Sequence, residues 1–439
     1  MHVPDLLPAP TATAKSRLFV AVVAATVIAE LIGPRALPLG SARVVILPML
    51  WALLLAALWS LAQRRLPAPL RIDTPLHVHA GRLLNAAMLL FVAKLGLMAG
   101  HALPQLRQAG WALFFQEFGH AFGTLALGLP LALALGLKRE AVGATFSIGR
   151  ENNLAIIAQK YGMHSPEGHG VMAEYITGTV LGAVFITLLA SFVTSLGIFD
   201  PRSLAMGAGV GSGSLMAAAI GAISAQQPPA LHPQLMAIAA ASNLIAGVVG
   251  FYFALFLSLP LCNWLYARLE PVLGRLAPAR QPHPSADAAP AEAPAQALPL
   301  ADSLYTWVLM IVAVTACNAL SVGVPPLRTL PGMAIVIALV AIATVLKRWL
   351  PRLPLMLALS LLATAASVPG LWPFSAAVAE LSDRVQFMSF TTPVLALAGF
   401  SIVKDLPAFR QLGWRIVLVS LTATAGTFLC ATLIAEFFH

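Results

Sequence analysis

The sequence predicts an all-α, polytopic transmembrane helix bundle, and three observations predict it. Apolar residues fill 59% of the 439 positions, while charged residues fill 10%. Soluble chains carry about 25% charged residues, so 26 Lys and Arg with 17 Asp and Glu cannot clothe this chain in a water-facing surface. The apolar residues fall in runs of roughly 17–25, the length of a helix across a bilayer, without the alternation of barrel strands. Mean hydropathy is +0.85. Lipid is therefore the main solvent, and the backbone must satisfy its hydrogen bonds internally.

The elements follow in order. Lys15 and Arg17 end a cytoplasmic N-terminal tail, 1–17, and precede an apolar run at 18–33. No small-residue cleavage site follows, so this run reads as an uncleaved first helix. Further runs lie near 43–62, 84–103, 110–137, 141–161, 170–197, 203–223, 235–268, 303–323, 331–346, 353–370, 385–403 and 412–436, for 12–13 runs in all. The run at 235–268 suits one tilted helix, or a helix plus a re-entrant piece. If every run crosses once from a cytoplasmic N-terminus, cytoplasmic segments hold 18 of the 26 Lys and Arg, as the positive-inside rule expects. The net charge of +9 thus marks topology in short loops rather than a nucleic-acid surface. Residues 276–301, rich in Ala and Pro, read as a disordered cytoplasmic linker. With its flanks, 270–302, it separates a first membrane block, 18–269, from a second, 303–439.

Two internal repeats stand out. Leu103-Pro104-Gln105-Leu106-Arg107-Gln108-Ala109-Gly110-Trp111 recurs as Leu406-Pro407-Ala408-Phe409-Arg410-Gln411-Leu412-Gly413-Trp414, each copy between two apolar runs. The later half holds one additional run, 353–370. If that run spans, the two copies lie on opposite membrane faces and form an inverted pair. The second repeat is weaker. Ala141-Val142-Gly143-Ala144 with Gly149 matches Ala205-Met206-Gly207-Ala208 with Gly213. Both copies open Gly-rich, interrupted apolar runs, the sequence pattern that points to a transporter binding site. Small residues that merely let helices pack closely give the same glycines, but not the charges in the first copy.

That first copy carries Ser147, Gly149, Arg150, Glu151, Asn152 and Asn153 in the middle of a membrane-length run. A charge at mid-bilayer costs about 2.5–3.5 kcal/mol on insertion scales. Two half-helices meeting near the midplane would place these groups at a wet break, where freed backbone N–H groups and positive helix ends favour an anion. Arg150 suits a bidentate hold on a carboxylate. The alternative is a loop at the membrane edge. The second copy offers Gly211, Ser212, Gly213 and Ser214 without charge, and Asn243 follows in the next run. A charged tip facing a neutral one suits a small anionic or zwitterionic solute. Glu117 and His120, at i and i+3, together with Glu174 and Lys94, are candidates for coupling a proton or sodium ion, with Lys94 a possible counter-ion of Glu117. The alternative is a hydrogen-bonded contact between helices. A di-metal site needs a second Glu-x-x-His pair, which is missing, so no metal is expected. Cys262, Cys317 and Cys430 read as small core residues. His164, Glu167 and His169 read as a solvated loop.

At Ser147-Ile148-Gly149-Arg150-Glu151-Asn152-Asn153-Leu154-Ala155-Ile156-Ile157-Ala158, at Ser165-Pro166-Glu167-Gly168, and at Gly209-Val210-Gly211-Ser212-Gly213-Ser214-Leu215-Met216-Ala217-Ala218-Ala219 the chain resembles a family of bacterial membrane proteins known as domain of unknown function 3100. More distantly, the paired Gly-rich segments look like those of 2-keto-3-deoxygluconate permeases and sodium–glutamate symporters. That resemblance implies an elevator-type fold with inverted repeats, carboxylate transport and a scaffold that commonly forms a homodimer. The sequence thus leads to an ion-coupled secondary transporter of a small carboxylate or amino acid in the bacterial inner membrane, without a cofactor. The alternative is a channel or holin-like envelope regulator. An enzyme is not expected, since nucleophile motifs, phosphate-binding loops and HExxH are missing.

Overall fold

The computed structural model describes residues 10–39, 42–101, 111–149, 151–162, 165–209, 211–274, 299–349, 355–411 and 413–438. The chain forms two compact units, and neither is continuous in sequence. Unit 1 comprises Met1–Arg107 and Ala295–Lys404, and unit 2 comprises Gln108–Pro294 and Asp405–His439. This division differs from the two blocks expected on either side of the linker. Two of the crossings between units fall at the repeated Leu-Pro motif: unit 2 begins at Gln108, within the first copy, and at Asp405, just before the second. The third falls in the Ala/Pro-rich linker, most of which lies outside the described residues; its last residues, Leu300 and Ala301, already belong to a helix.

Unit 1 contains α1 (Ala12–Ile32), α2 (Pro48–Leu61), α3 (Thr74–His101), α12 (Leu300–Val322), α13 (Pro326–Trp349), α14 (Leu355–Ser367), α15 (Ser375–Asp383) and most of α16 (Phe387–Gln411). A hairpin of β1 (Arg35–Leu39) and β2 (Ala42–Ile46) precedes α2, with Arg35 opposite Ile46. The run expected at 43–62 therefore begins as a strand. Val44, Val45 and Ile46 are β-branched and favour extended backbone, and Pro48 then starts the helix at a position where its missing N–H costs nothing.

Unit 2 contains α4 (Ala112–Ala134), α5 (Glu140–Thr145), α6 (Glu151–Lys160), α7 (Pro166–Ser195), α8 (Pro201–Ala208), α9 (Gly213–Ser224), α10 (His232–Phe253), α11 (Leu259–Leu273) and α17 (Trp414–Glu436). Turns of π-helix at Thr124–Gly128, Gly178–Gly182 and Ala254–Ser258 interrupt α4, interrupt α7 and join α10 to α11.

Among the described residues, seven helical segments are long and apolar enough to cross a membrane, and an eighth arises if α15 and α16, bent by 62° at their junction, count as one span. The chain is a multi-pass helical membrane protein. Two of the apolar runs form shorter, broken helices instead. The run at 141–161 enters unit 2 and returns to the same end. A side chain at Gly143 would strike the Glu167 carbonyl, one at Gly170 would strike that of Glu140, and Arg139 reaches both Glu167 and the ring of Tyr161. The run at 203–223 does the same at the other end of α7. Its first helix starts just beyond Ser195, and after its second helix Gln226 Nε2 donates to the Ser191 carbonyl at 2.9 Å. Thus α5–α6 and α8–α9 are re-entrant hairpins that enter from opposite ends of α7.

The helices around the repeated motif pair across the repeat. The two copies start 303 residues apart, at Leu103 and Leu406, and the same offset carries Gly123 of α4 onto Gly426 of α17. These two glycines touch. A Cβ on either would strike the carbonyl oxygen of the other. Gly119 packs on Ala431 and Gly128 on Ala423, so α4 and α17 are antiparallel. The helices before the motif behave alike in unit 1. His77 Nδ1 of α3 lies 2.7 Å from the Phe400 carbonyl of α16, while Phe91 packs on Phe387 and Phe390.

Candidate functional site

The two hairpin tips meet inside unit 2. Between α5 and α6 the helix opens at Phe146–Gly149, where the Gly149 N–H donates to Ser147 Oγ at 3.2 Å and the Asn152 N–H to the Gly149 carbonyl at 3.1 Å. Between α8 and α9 the chain turns through Gly211, whose φ of +78° is a left-handed conformation that suits glycine. A Cβ there would sit 3.5 Å from Ile148 Cδ1 of the first tip.

Each tip is held by its surroundings. Asn243 of α10 donates through Nδ2 to the carbonyls of Gly209 (2.8 Å) and Gly211 (3.2 Å), and Ser242 Oγ donates to the Met206 carbonyl at 2.8 Å. These bonds satisfy acceptors that the interrupted helix leaves open. Ser212 caps α9, accepting from the Leu215 N–H at 3.4 Å, and its hydroxyl lies 3.0 Å from that of Ser214. Outside the tips, at the far end of the first hairpin, Arg139 pairs with Glu167 at 2.5 Å and stacks on Tyr161 and Tyr266. Lys138 bonds Glu270 at 2.5 Å, which holds its ammonium above the usual lysine range. Glu167 is thus buried and paired rather than solvated.

A cavity of about 50 Å³, room for a few waters or the polar end of a solute, opens where the tips meet. The first tip contributes Ser147, Ile148, Gly149, Asn152 and Asn153, and the second contributes Gly211. From α4 come Glu117, His120 and Ala121, from α17 Thr427, and from α10 and its π-turn Gly250, Phe251 and Ser258 among others. The polar groups here are deeply buried. Asn153 is 0% and Glu117 1% exposed. Neither amide atom of Asn153 has a hydrogen-bond partner in the protein, and the same holds for His120 Nε2. His120 Nδ1 stands 3.3 Å from Glu117 Oε2, and Gln116 Nε2 donates to Glu117 Oε1 at 2.8 Å.

Of the residues singled out from the sequence, Ser147, Gly149, Asn152, Asn153, Gly211, Glu117 and His120 line this one cavity. Ser212, Gly213, Ser214 and Asn243 belong to the second tip and its support, outside the lining. Glu174 lies buried on α7, also outside it. Lys94 lies in unit 1, where its Nζ donates to the Ser382 carbonyl at 2.7 Å and stands 3.7 Å from Asp383. Arg150 and the Glu151 side chain lie outside the described residues. Gln116, Ser258, Thr427 and the clamp at Arg139 were not anticipated. Gln116 and Arg139 adjoin singled-out residues in sequence, whereas Ser258 and Thr427 sit singly in apolar runs with no local signal.

The profile of the family described as "Protein of unknown function (DUF3100)" matches residues 27–268, which include both tips, α4 and α10. The chain belongs to this family. A comparison with curated proteins finds no match, and neither does one with solved structures. The family match ends before α17, which supplies Thr427 to the cavity.

Proposed function

We propose that the protein is an ion-coupled secondary transporter of a small carboxylate or amino acid, acting in the bacterial inner membrane with its N-terminus cytoplasmic. Unit 2 carries the solute and unit 1 serves as the scaffold. One observation carries this reading: two interrupted helices from opposite ends of α7 bring their tips to one cavity with polar lining inside unit 2. Broken helices that converge within a membrane protein are tolerated where they line a cavity, and they commonly form transport sites. The N-termini of α6 and α9 start at these tips, and their free N–H groups and positive ends favour an anion. Asn153 offers donor and acceptor without a partner of its own. Arg150 precedes α6 in sequence and supplies the positive charge for a carboxylate.

The antiparallel pairing of α4 with α17 and of α3 with α16, and the opposed entry of the hairpins, support an inverted repeat. Inverted repeats give a transporter two related states from one fold.

The test begins with thermal melting of the purified full chain against small carboxylates and amino acids. A true ligand at a hundred times its Kd adds about 2.7 kcal/mol. The hits then enter an uptake assay in proteoliposomes. Saturable uptake that Arg150→Ala abolishes while the protein stays folded is the expected result. Non-saturating conductance, or normal uptake by Arg150→Ala, refutes the reading.

A further inference from the structure

We propose that the Glu117–His120 pair is a proton-binding site, with His120 Nε2 taking the proton from the tip cavity and Glu117 holding it. This deepens the transporter reading and rests on it, because it names the coupling ion.

The geometry is that of a short relay. Glu117 is nearly fully buried on α4, with Oε1 accepting from Gln116 and Oε2, which makes no hydrogen bond, 3.3 Å from His120 Nδ1. The other ring nitrogen, Nε2, is buried and unpartnered, and both residues line the cavity. A proton that binds Nε2 makes the ring an imidazolium. Its Nδ1 proton then passes to Glu117 Oε2. The ring ends neutral in its other tautomer, the carboxylate ends as a neutral acid, and the pair has gained one proton and one positive charge.

A sodium ion fits less well. A hard cation seeks several oxygens, yet the imidazole nitrogen already stands against the Glu117 oxygen that Gln116 leaves open. The surroundings leave the pair to itself. α10, its π-turn and α17 face the cavity with glycine, alanine, phenylalanine, serine and threonine, and the described tip residues are neutral. The elements packed on α4 carry their described ionisable groups, such as Arg202 of α8 and Glu436 of α17, outside the lining. Arg150 and Glu151 adjoin the first tip in sequence, and the test controls for them.

The experiment is a pH titration of the purified full chain, followed by infrared difference spectroscopy in the carbonyl stretch of a protonated carboxylic acid. A band should grow on acidification. Other carboxyls protonate too, so the readout is the component of the band that Glu117→Gln removes and Glu151→Gln keeps. Exchange of potassium for sodium at fixed pH should leave it unchanged. His120→Gln should move its midpoint by about one pH unit or more, as for a coupled pair. A band that Glu117→Gln leaves unchanged, or whose Glu117 component sodium suppresses, overturns the proposal. If Glu117→Gln fails to fold, the sodium arm and His120→Gln still decide. Solute uptake in proteoliposomes is measured separately, so loss of this proposal leaves the transport reading to its own test.

Discussion

Asn153 states the chemistry of the site at the scale of one residue. A buried amide with no protein partner costs about 1–3 kcal/mol, and a fold under selection for stability alone would place leucine there. Asn153→Leu is therefore expected to keep or raise the melting temperature while losing solute uptake. Parallel melting and uptake measurements check this, and a melting temperature several degrees lower would make the amide structural. Asn243 plays the opposite part. Its Nδ2 is committed to the carbonyls of the second tip and supports the backbone there. Both were visible in sequence as polar groups in apolar runs. Which one faces a cavity depends on what packs opposite, and no local pattern carries that.

Glycine contacts decide most at the level of helices and hairpins. Gly123 and Gly426 sit at equivalent positions of the repeat and cross backbone to backbone, each excluding a side chain on the other. Gly123→Ala and Gly426→Ala should each destabilise unit 2 by roughly 1–3 kcal/mol. The double variant should cost less than their sum, since both open one crossing. Additive losses in detergent melts would show that the two positions act separately. The interruptions near 146–149 and 209–212 were legible in the sequence, because polar and glycine residues in an apolar run are too costly unless the helix breaks. The direction of the chain after each break was not legible. Hydropathy measures how apolar a run is, and a hairpin that returns is as apolar as a helix that crosses. The close approaches at Gly143 and Gly170 turn the first run back. The hairpin of β1 and β2 escaped notice for a related reason: Val44, Val45 and Ile46 adjoin an apolar helix and merge with it in a hydropathy scan.

For the whole molecule, the described structure assigns the polar chemistry unevenly. Unit 2 holds both re-entrant hairpins, the three π-turns and the tip cavity. Unit 1 holds Lys94 with Asp383, whose bond to the end of α15 braces a bent pair of helices. The repeated Leu-Pro motif was readable from the sequence as a repeat. Its place at the entries into unit 2 was not, because a unit built from distant segments is defined by contacts and not by composition. The central claim is that the hairpin tips open onto water inside the membrane-spanning part of unit 2. Single cysteines answer this most directly. With Cys262, Cys317 and Cys430 replaced, Ser147→Cys and Asn152→Cys are treated with a water-soluble thiol reagent, alongside Phe256→Cys on the exposed apolar surface. The account predicts that both tip cysteines react at least about tenfold faster than the one at Phe256. Tip cysteines as inert as that control would contradict it.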